Sequence, residues 1–109
     1  MEELLSIHYE RTGGFAGLHL KKTFIIADLP KSEAHEIQDL IENASFFSLP
    51  ENLPSPEPGV DRFHYLIEVT TSDRQHRVEF GESAAIGKIK PLVDKLNELA
   101  RRLPQEKGK

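Results

Sequence analysis

The sequence predicts an α+β fold, a four-stranded antiparallel sheet with two helices packed on one face, in the order ββαββα. Two hairpin signals and two helices with single apolar stripes carry that expectation. Residues 4–10 and 18–26 alternate apolar and polar as strands do, as do 63–70 and 76–80, while Ile37, Leu40, Ile41 and Ala44 recur at helical spacing. Hairpins bring antiparallel neighbours, and a helix with one apolar stripe needs one sheet face to cover, so both helices belong on the same side. With 109 residues the chain is expected to form one domain, 1–109, with residues 104–109 frayed beyond Pro104.

The first strand is marked by Leu5, Ile7 and Tyr9, and the second by Leu18, Leu20, Phe24 and Ile26. Between them lies Arg11-Thr12-Gly13-Gly14-Phe15-Ala16-Gly17, which holds three of the chain's seven glycines within five positions. Glycines at a hairpin tip supply positive φ or close backbone approach. A large aromatic at the apex has two uses open to it: Phe15 is a partner-binding side chain held on a glycine-rich loop, or it folds back to finish the core.

Asp28-Leu29-Pro30 breaks the sheet, and Ser32 is the expected N-cap of a helix near 32–44, with Glu33 and Glu36 favouring its dipole. Glu33, Glu36, Asp39 and Glu42 read as its solvated face. Phe46, Phe47 and Leu49 follow as an extended exit into the core. That helix is expected to run back along the sheet and return the chain to the glycine tip near Phe46–Leu49. Residues 50–60 contain four of the seven prolines and form a loop, stiff enough to present contacts or simply a spacer to the next strand.

The third strand alternates Phe63, Tyr65, Ile67 and Val69 with His64, Leu66, Glu68 and Thr70; Ser72-Asp73 makes a turn, and Val78 and Phe80 mark the fourth strand. After an irregular lead-in over 84–89, the last helix runs from about Lys90 with Pro91 near its start, and Ile89, Leu92, Val93, Leu96, Leu99, Ala100 and Leu103 form its stripe. The uncovered sheet face would carry His8, His19, Lys21, Thr23, His64, Glu68, Arg77 and Glu79, with Ile25 and Leu66 as apolar exceptions.

Composition excludes several classes. There is no cysteine, which removes disulfides, thiolate chemistry and iron–sulfur clusters and fits a cytoplasmic setting. The formal net charge is −4, with an isoelectric point near 5.7, so no general attraction to nucleic acid is expected. No stretch reads as a signal peptide or membrane span. The five histidines lie in no triad or metal motif, and no Ser, Thr or Lys has the setting of an activated nucleophile, so neither an enzyme nor a resident metal or cofactor is expected. Two cross-strand histidines would make a metal site only if the register set them opposite one another.

The chain resembles the emfourins, a family named for an inhibitor of protealysin-like metallopeptidases of the thermolysin class. The resemblance rests on Arg11-Thr12-Gly13-Gly14-Phe15-Ala16-Gly17, on Ala44-Ser45-Phe46-Phe47-Ser48-Leu49-Pro50, on Pro58-Gly59-Val60-Asp61-Arg62-Phe63-His64-Tyr65 and on the closing Pro91-Leu92-Val93 helix. It implies a cytoplasmic inhibitor whose partner is a thermolysin- or protealysin-like zinc metallopeptidase and which acts by occupying that enzyme's active-site cleft through loops; the chain itself is expected to be a monomer. The partner-binding residues it points to are Gly13, Gly14, Phe15, Ala16 and Gly17, joined by Pro58, Gly59 and Asp61 of the proline-rich loop. A protein-interaction module using the open sheet face, or a small-ligand binder with a pocket between sheet and helices, are the other two readings.

Overall fold

The computed structural model describes residues 3–13, 18–54 and 62–102. The four strands are β1 (Leu4–Gly13), β2 (Leu18–Ile25), β3 (Phe63–Thr71) and β4 (Gln75–Gly81), and the helices are α1 (Lys31–Asn43) and α2 (Ile89–Arg102). The strands form one antiparallel sheet in the order β2-β1-β3-β4, so the two hairpins lie side by side and β1 and β3 are central. Alternate residues of each strand turn to one face. Ile7, Tyr9, Phe24, Tyr65, Ile67, Val69, Val78 and Phe80 bury themselves there against Ile37 and Ile41 of α1 and Leu92, Leu96 and Leu99 of α2. Both helices therefore cover the same face, as the single apolar stripes require.

The start of β1 departs from simple alternation. Leu4 pairs with Thr71 and Ser6 with Thr70, so β1 has one more residue than β3 across this step. That residue is Leu5, and the bulge turns it outward: Leu5 is 42% exposed, whereas Leu4 enters the core. Leu5 was expected on the core face by parity with Ile7 and Tyr9; the extra residue hands that position to Leu4.

Helix α1 begins two residues earlier than Ser32 allows as a cap. Pro30 stands at the N-cap, its carbonyl accepting from the amides of Glu33 and Ala34 at 3.0 and 2.9 Å, and Ser32 lies inside the first turn. The helix ends where Ser45 adopts left-handed backbone, φ 51° and ψ 48°, which reverses the chain. Phe46–Ser48 then form a 3₁₀ turn in place of an extended exit, and Phe46 is buried edge-on to His76 at 5.7 Å. His76 Nε2 donates to the Leu49 carbonyl at 2.7 Å, which fixes this exit on the start of β4.

These contacts also correct the expected path of α1. Its last turns and the 3₁₀ turn share a surface cavity with Leu4, Thr71 and Arg74, at the end of the sheet opposite the glycine tip. The helix stays at that end, and it is the following segment that returns the chain. Glu51 O accepts from Glu79 N at 2.7 Å and Leu53 N donates to Glu79 O at 3.0 Å, so residues 51–53 run parallel to β4 along its outer edge and carry the chain toward the tip.

Two lysines sit on apolar faces, where sequence patterning did not place them. Lys22 lies between Leu20 and Phe24 on β2 and is 7% exposed. Lys95 of α2 is 8% exposed and faces three carboxylates: Glu36 at 3.0 Å, Glu98 at 3.8 Å and Glu33 at 3.9 Å. Glu33 also meets the Arg102 guanidinium at 2.7 Å, and that hydrogen bond holds its carboxyl below the ordinary value. Half of the acidic stripe assigned to solvent is thus the α1–α2 seam.

The bulge gives a direct test of register. Leu4→Ala should destabilise the protein by about 2–4 kcal/mol, the range for a truncated core leucine, while Leu5→Ala should stay within about 0.5 kcal/mol of the wild type. Urea denaturation of the two variants measures both, and equal losses would contradict the bulge.

Candidate functional site

Gly13 ends β1 and begins the hairpin tip. It pairs with Leu18 of β2 on one side and with Phe63 of β3 on the other. Its φ is +116°, a conformation open to glycine and strained for other residues. A Cβ at this position would overlap the carbonyl oxygen of Arg62 and lie 3.2 Å from its carbonyl carbon and 3.3 Å from Phe63 Cα. Glycine is therefore required twice over, by torsion and by the closeness of the next strand.

This contact joins the stems of the two loops singled out in the sequence. The first loop leaves the described residues at Gly13 and re-enters at Leu18. The second leaves at Pro54, just beyond the 51–53 segment on the edge of β4, and re-enters at Arg62, against Gly13. Arg62 is itself held, its amide donating to Glu82 Oε1 at 3.2 Å in the 3₁₀ turn Glu82–Ala84 that follows β4. Of the residues assigned to the site, Gly13 is placed; Gly14, Phe15, Ala16, Gly17, Pro58, Gly59 and Asp61 lie outside the described residues.

Beneath the stems, on the helix-covered face, is a group that sequence reasoning passed over. Tyr9, Tyr65 and Phe80 stack across β1, β3 and β4, with ring centroids 6.3 and 5.3 Å apart. Two residues along, the Arg11 guanidinium lies over the Phe63 ring at 5.2 Å. Asn97 of α2 accepts from Arg11 Nη1 at 3.3 Å and from the Tyr9 hydroxyl. Burial, and after it the neighbouring Tyr65, push the Tyr9 phenol well above its ordinary value, so it remains a donor. The parity of Arg11 with Ile7 and Tyr9 was the available signal that this arginine points inward.

On the opposite face the register sets out four rows. Toward the tip His19, Thr12, His64 and Gly81 lie abreast; next come Lys21, Glu10, Leu66 and Glu79, then Thr23, His8, Glu68 and Arg77, and last Ile25, Ser6, Thr70 and Gln75. The polar face and its exceptions, Leu66 and the 46% exposed Ile25, match the expectation. No two histidines are direct cross-strand partners, and no group of three potential ligands suited to a metal occurs among the described residues. The histidines meet carboxylates instead. Glu10 lies 2.7 Å from His8 Nε2 and 3.5 Å from His19 Nε2, and His64 Nε2 lies 3.2 Å from Glu79. His8 Nδ1 is also 2.8 Å from Thr23 Oγ1.

The cavity behind α1, about 440 Å³, is lined by Ile41, Phe46 and Phe47 among others and lies at the far end from the loop stems. No helix among the described residues is long and apolar enough to cross a membrane.

The Emfourin family model matches residues 9–97, most of the 109-residue chain. The chain belongs to the Emfourin family. The match begins at Tyr9 and ends at Asn97, so it takes in both loop stems and the residues beneath them. Emfourin membership suggests a metallopeptidase-inhibitor role. No curated protein and no solved structure matches the chain.

Two outcomes follow from the geometry. Gly13→Ala should cost about 1–3 kcal/mol, the range for a strained backbone position, and thermal denaturation measures it. A stability equal to the wild type would mean that β1 and β3 do not approach as described. The second concerns acid. The His8 hydrogen bond, followed by that of His19, holds the Glu10 carboxyl below its ordinary value of 4.5. The native value is lowered, so its stabilisation is full above 4.5 and is lost as the pH falls below it, through the native value. Because Glu10 is partly exposed the loss is below about 1 kcal/mol. Glu10→Gln should remove this contribution, and the difference between the two urea-stability profiles against pH reads it directly.

Proposed function

We propose that this protein inhibits a thermolysin- or protealysin-like zinc metallopeptidase by occupying its active-site cleft. The glycine-rich 13–17 loop enters first, and the proline-rich loop, with Pro58, Gly59 and Asp61, flanks it. The observation that carries this reading is the abutment of Gly13 on Arg62 and Phe63 in an Emfourin chain, which roots both loops at one end of a rigid sheet. Neither stem is free to move alone, and a loop ordered in advance loses less freedom on binding.

Phe15 is the anchor in this proposal. An apolar pocket beside the catalytic zinc of the target accepts its ring, and the flanking glycines let the inhibitor's backbone come close. The zinc belongs to the target, so the inhibitor needs no metal or cofactor of its own. It resists cleavage either by holding its peptide out of line with the zinc-bound water or by bracing the loop so that cut ends stay in place. It acts as a cytoplasmic monomer, and neither nucleic acid nor membrane is among its partners.

Phe15→Ala should weaken inhibition by about 2–4 kcal/mol, as expected for a central interface anchor, with little change in melting temperature. A large fall in melting temperature with inhibition intact would make Phe15 a core residue. A small zinc-directed inhibitor should compete with the protein for the enzyme; simultaneous binding of both would exclude occupation of the cleft.

A further inference from the structure

Asn97 lies on neither loop, yet it reaches the place where their stems meet. It belongs to the third turn of α2, a helix buried along Ile89, Leu92, Val93, Leu96 and Leu99 and therefore fixed relative to the sheet. Its carboxamide oxygen accepts from the Tyr9 hydroxyl and from Arg11 Nη1. Arg11 stands two residues before Gly13, and its guanidinium carbon lies over the ring of Phe63, the residue that pairs with Gly13 across the sheet. One acceptor on the helix thus holds the cation that holds the second stem against the first.

The chemistry of the three groups suits this role. A guanidinium is long-stemmed and rich in rotamers, and stacking on a ring leaves it free to slide; a hydrogen bond in its plane fixes where along the ring it sits. The carboxamide oxygen has two lone pairs and serves both donors at once. Tyr9 is packed between the sheet and α2, so its hydroxyl sets the orientation of the Asn97 amide, which in turn aims the oxygen at Arg11.

We propose that Asn97 is a positioning residue for the inhibitory end of the molecule: through Arg11 and Phe63 it sets the separation of the two loop stems before any target is met. The consequence for inhibition rests on the function proposed above, whereas the bracing itself is measurable in the free protein. Removing the acceptor loosens the stems while the core stays packed. A bound peptidase must then order both loops, and affinity falls.

The test compares three variants. Asn97→Leu keeps the shape but leaves the Tyr9 hydroxyl buried without an acceptor, so it is paired with the double variant Tyr9→Phe/Asn97→Leu, in which both partners are apolar and stability is expected to recover. Asn97→Asp retains an oxygen acceptor for Arg11. Amide hydrogen exchange in the free protein reports the bracing. Exchange at residues 11–13 and 63–64 should quicken by about tenfold in the double variant, with Ile67 and Val78 unchanged, and Asn97→Asp should restore it. Inhibition of a thermolysin-class peptidase should weaken by about tenfold in the double variant and recover in Asn97→Asp. Unchanged exchange at the stems in the double variant, or failure of Asn97→Asp to restore it, overturns the proposal. A wild-type protein that inhibits no such peptidase overturns the function proposed above, and the exchange data still decide the bracing.

Discussion

The pairing of β1 with β3 is the constraint on which the rest of the molecule depends. It joins two hairpins that would otherwise each present one apolar face with too little sheet to cover it. The pairing runs from Leu4 opposite Thr71 to Gly13 opposite Phe63, the full length of both strands. At one end a bulge decides which leucine enters the core; at the other a glycine lets the strands close. Both helices pack across the surface this pairing creates, and both loops are rooted where it ends.

The helices are joined by more than apolar contact. Lys95 threads its aliphatic stem along the buried face of α2 and brings its ammonium among Glu33, Glu36 and Glu98, while Arg102 takes Glu33 from the other side. Two cations from α2 thus converge on the first turns of α1. This arrangement sets the helices' relative position without a long interhelical seam, and it accounts for carboxylates that on α1 alone look purely solvating. At this seam charge contributes specificity of packing more than stability, since partly exposed pairs contribute little net free energy.

What the sequence made legible was whatever depends on period. The order ββαββα, the two stripes, the open polar face and the place of His76 beside Val78 and Phe80 follow from alternation and helical spacing. Departures from period were not legible. Nothing local distinguishes Leu4 from Leu5 until β3 supplies one residue fewer, and nothing in Ser32 reveals that Pro30 takes the cap. The return path of the chain was misjudged because it depends on where Phe46 and Phe47 find their pocket, a tertiary fact. At the candidate site the glycine block announced a tip, whereas Arg11, whose parity with Ile7 and Tyr9 was there to be read, was passed over. Its partner Asn97 lies 86 residues along the chain, at a separation no motif records.

The 51–53 segment has a consequence beyond steering the chain. By hydrogen bonding to both backbone groups of Glu79 it covers part of one border of the sheet, while β2 pairs only with β1 among the described residues. A sheet with two bare borders offers a template for unlimited stacking of copies, side by side, into fibres. Here a second molecule finds β2 open, while the border at β4 is obstructed at Glu79. Even that encounter brings the exposed Lys21 of one copy toward the same cationic strand of the other. The polypeptide that leads into the proline-rich loop thereby also narrows the edge that β4 offers to another copy of this chain.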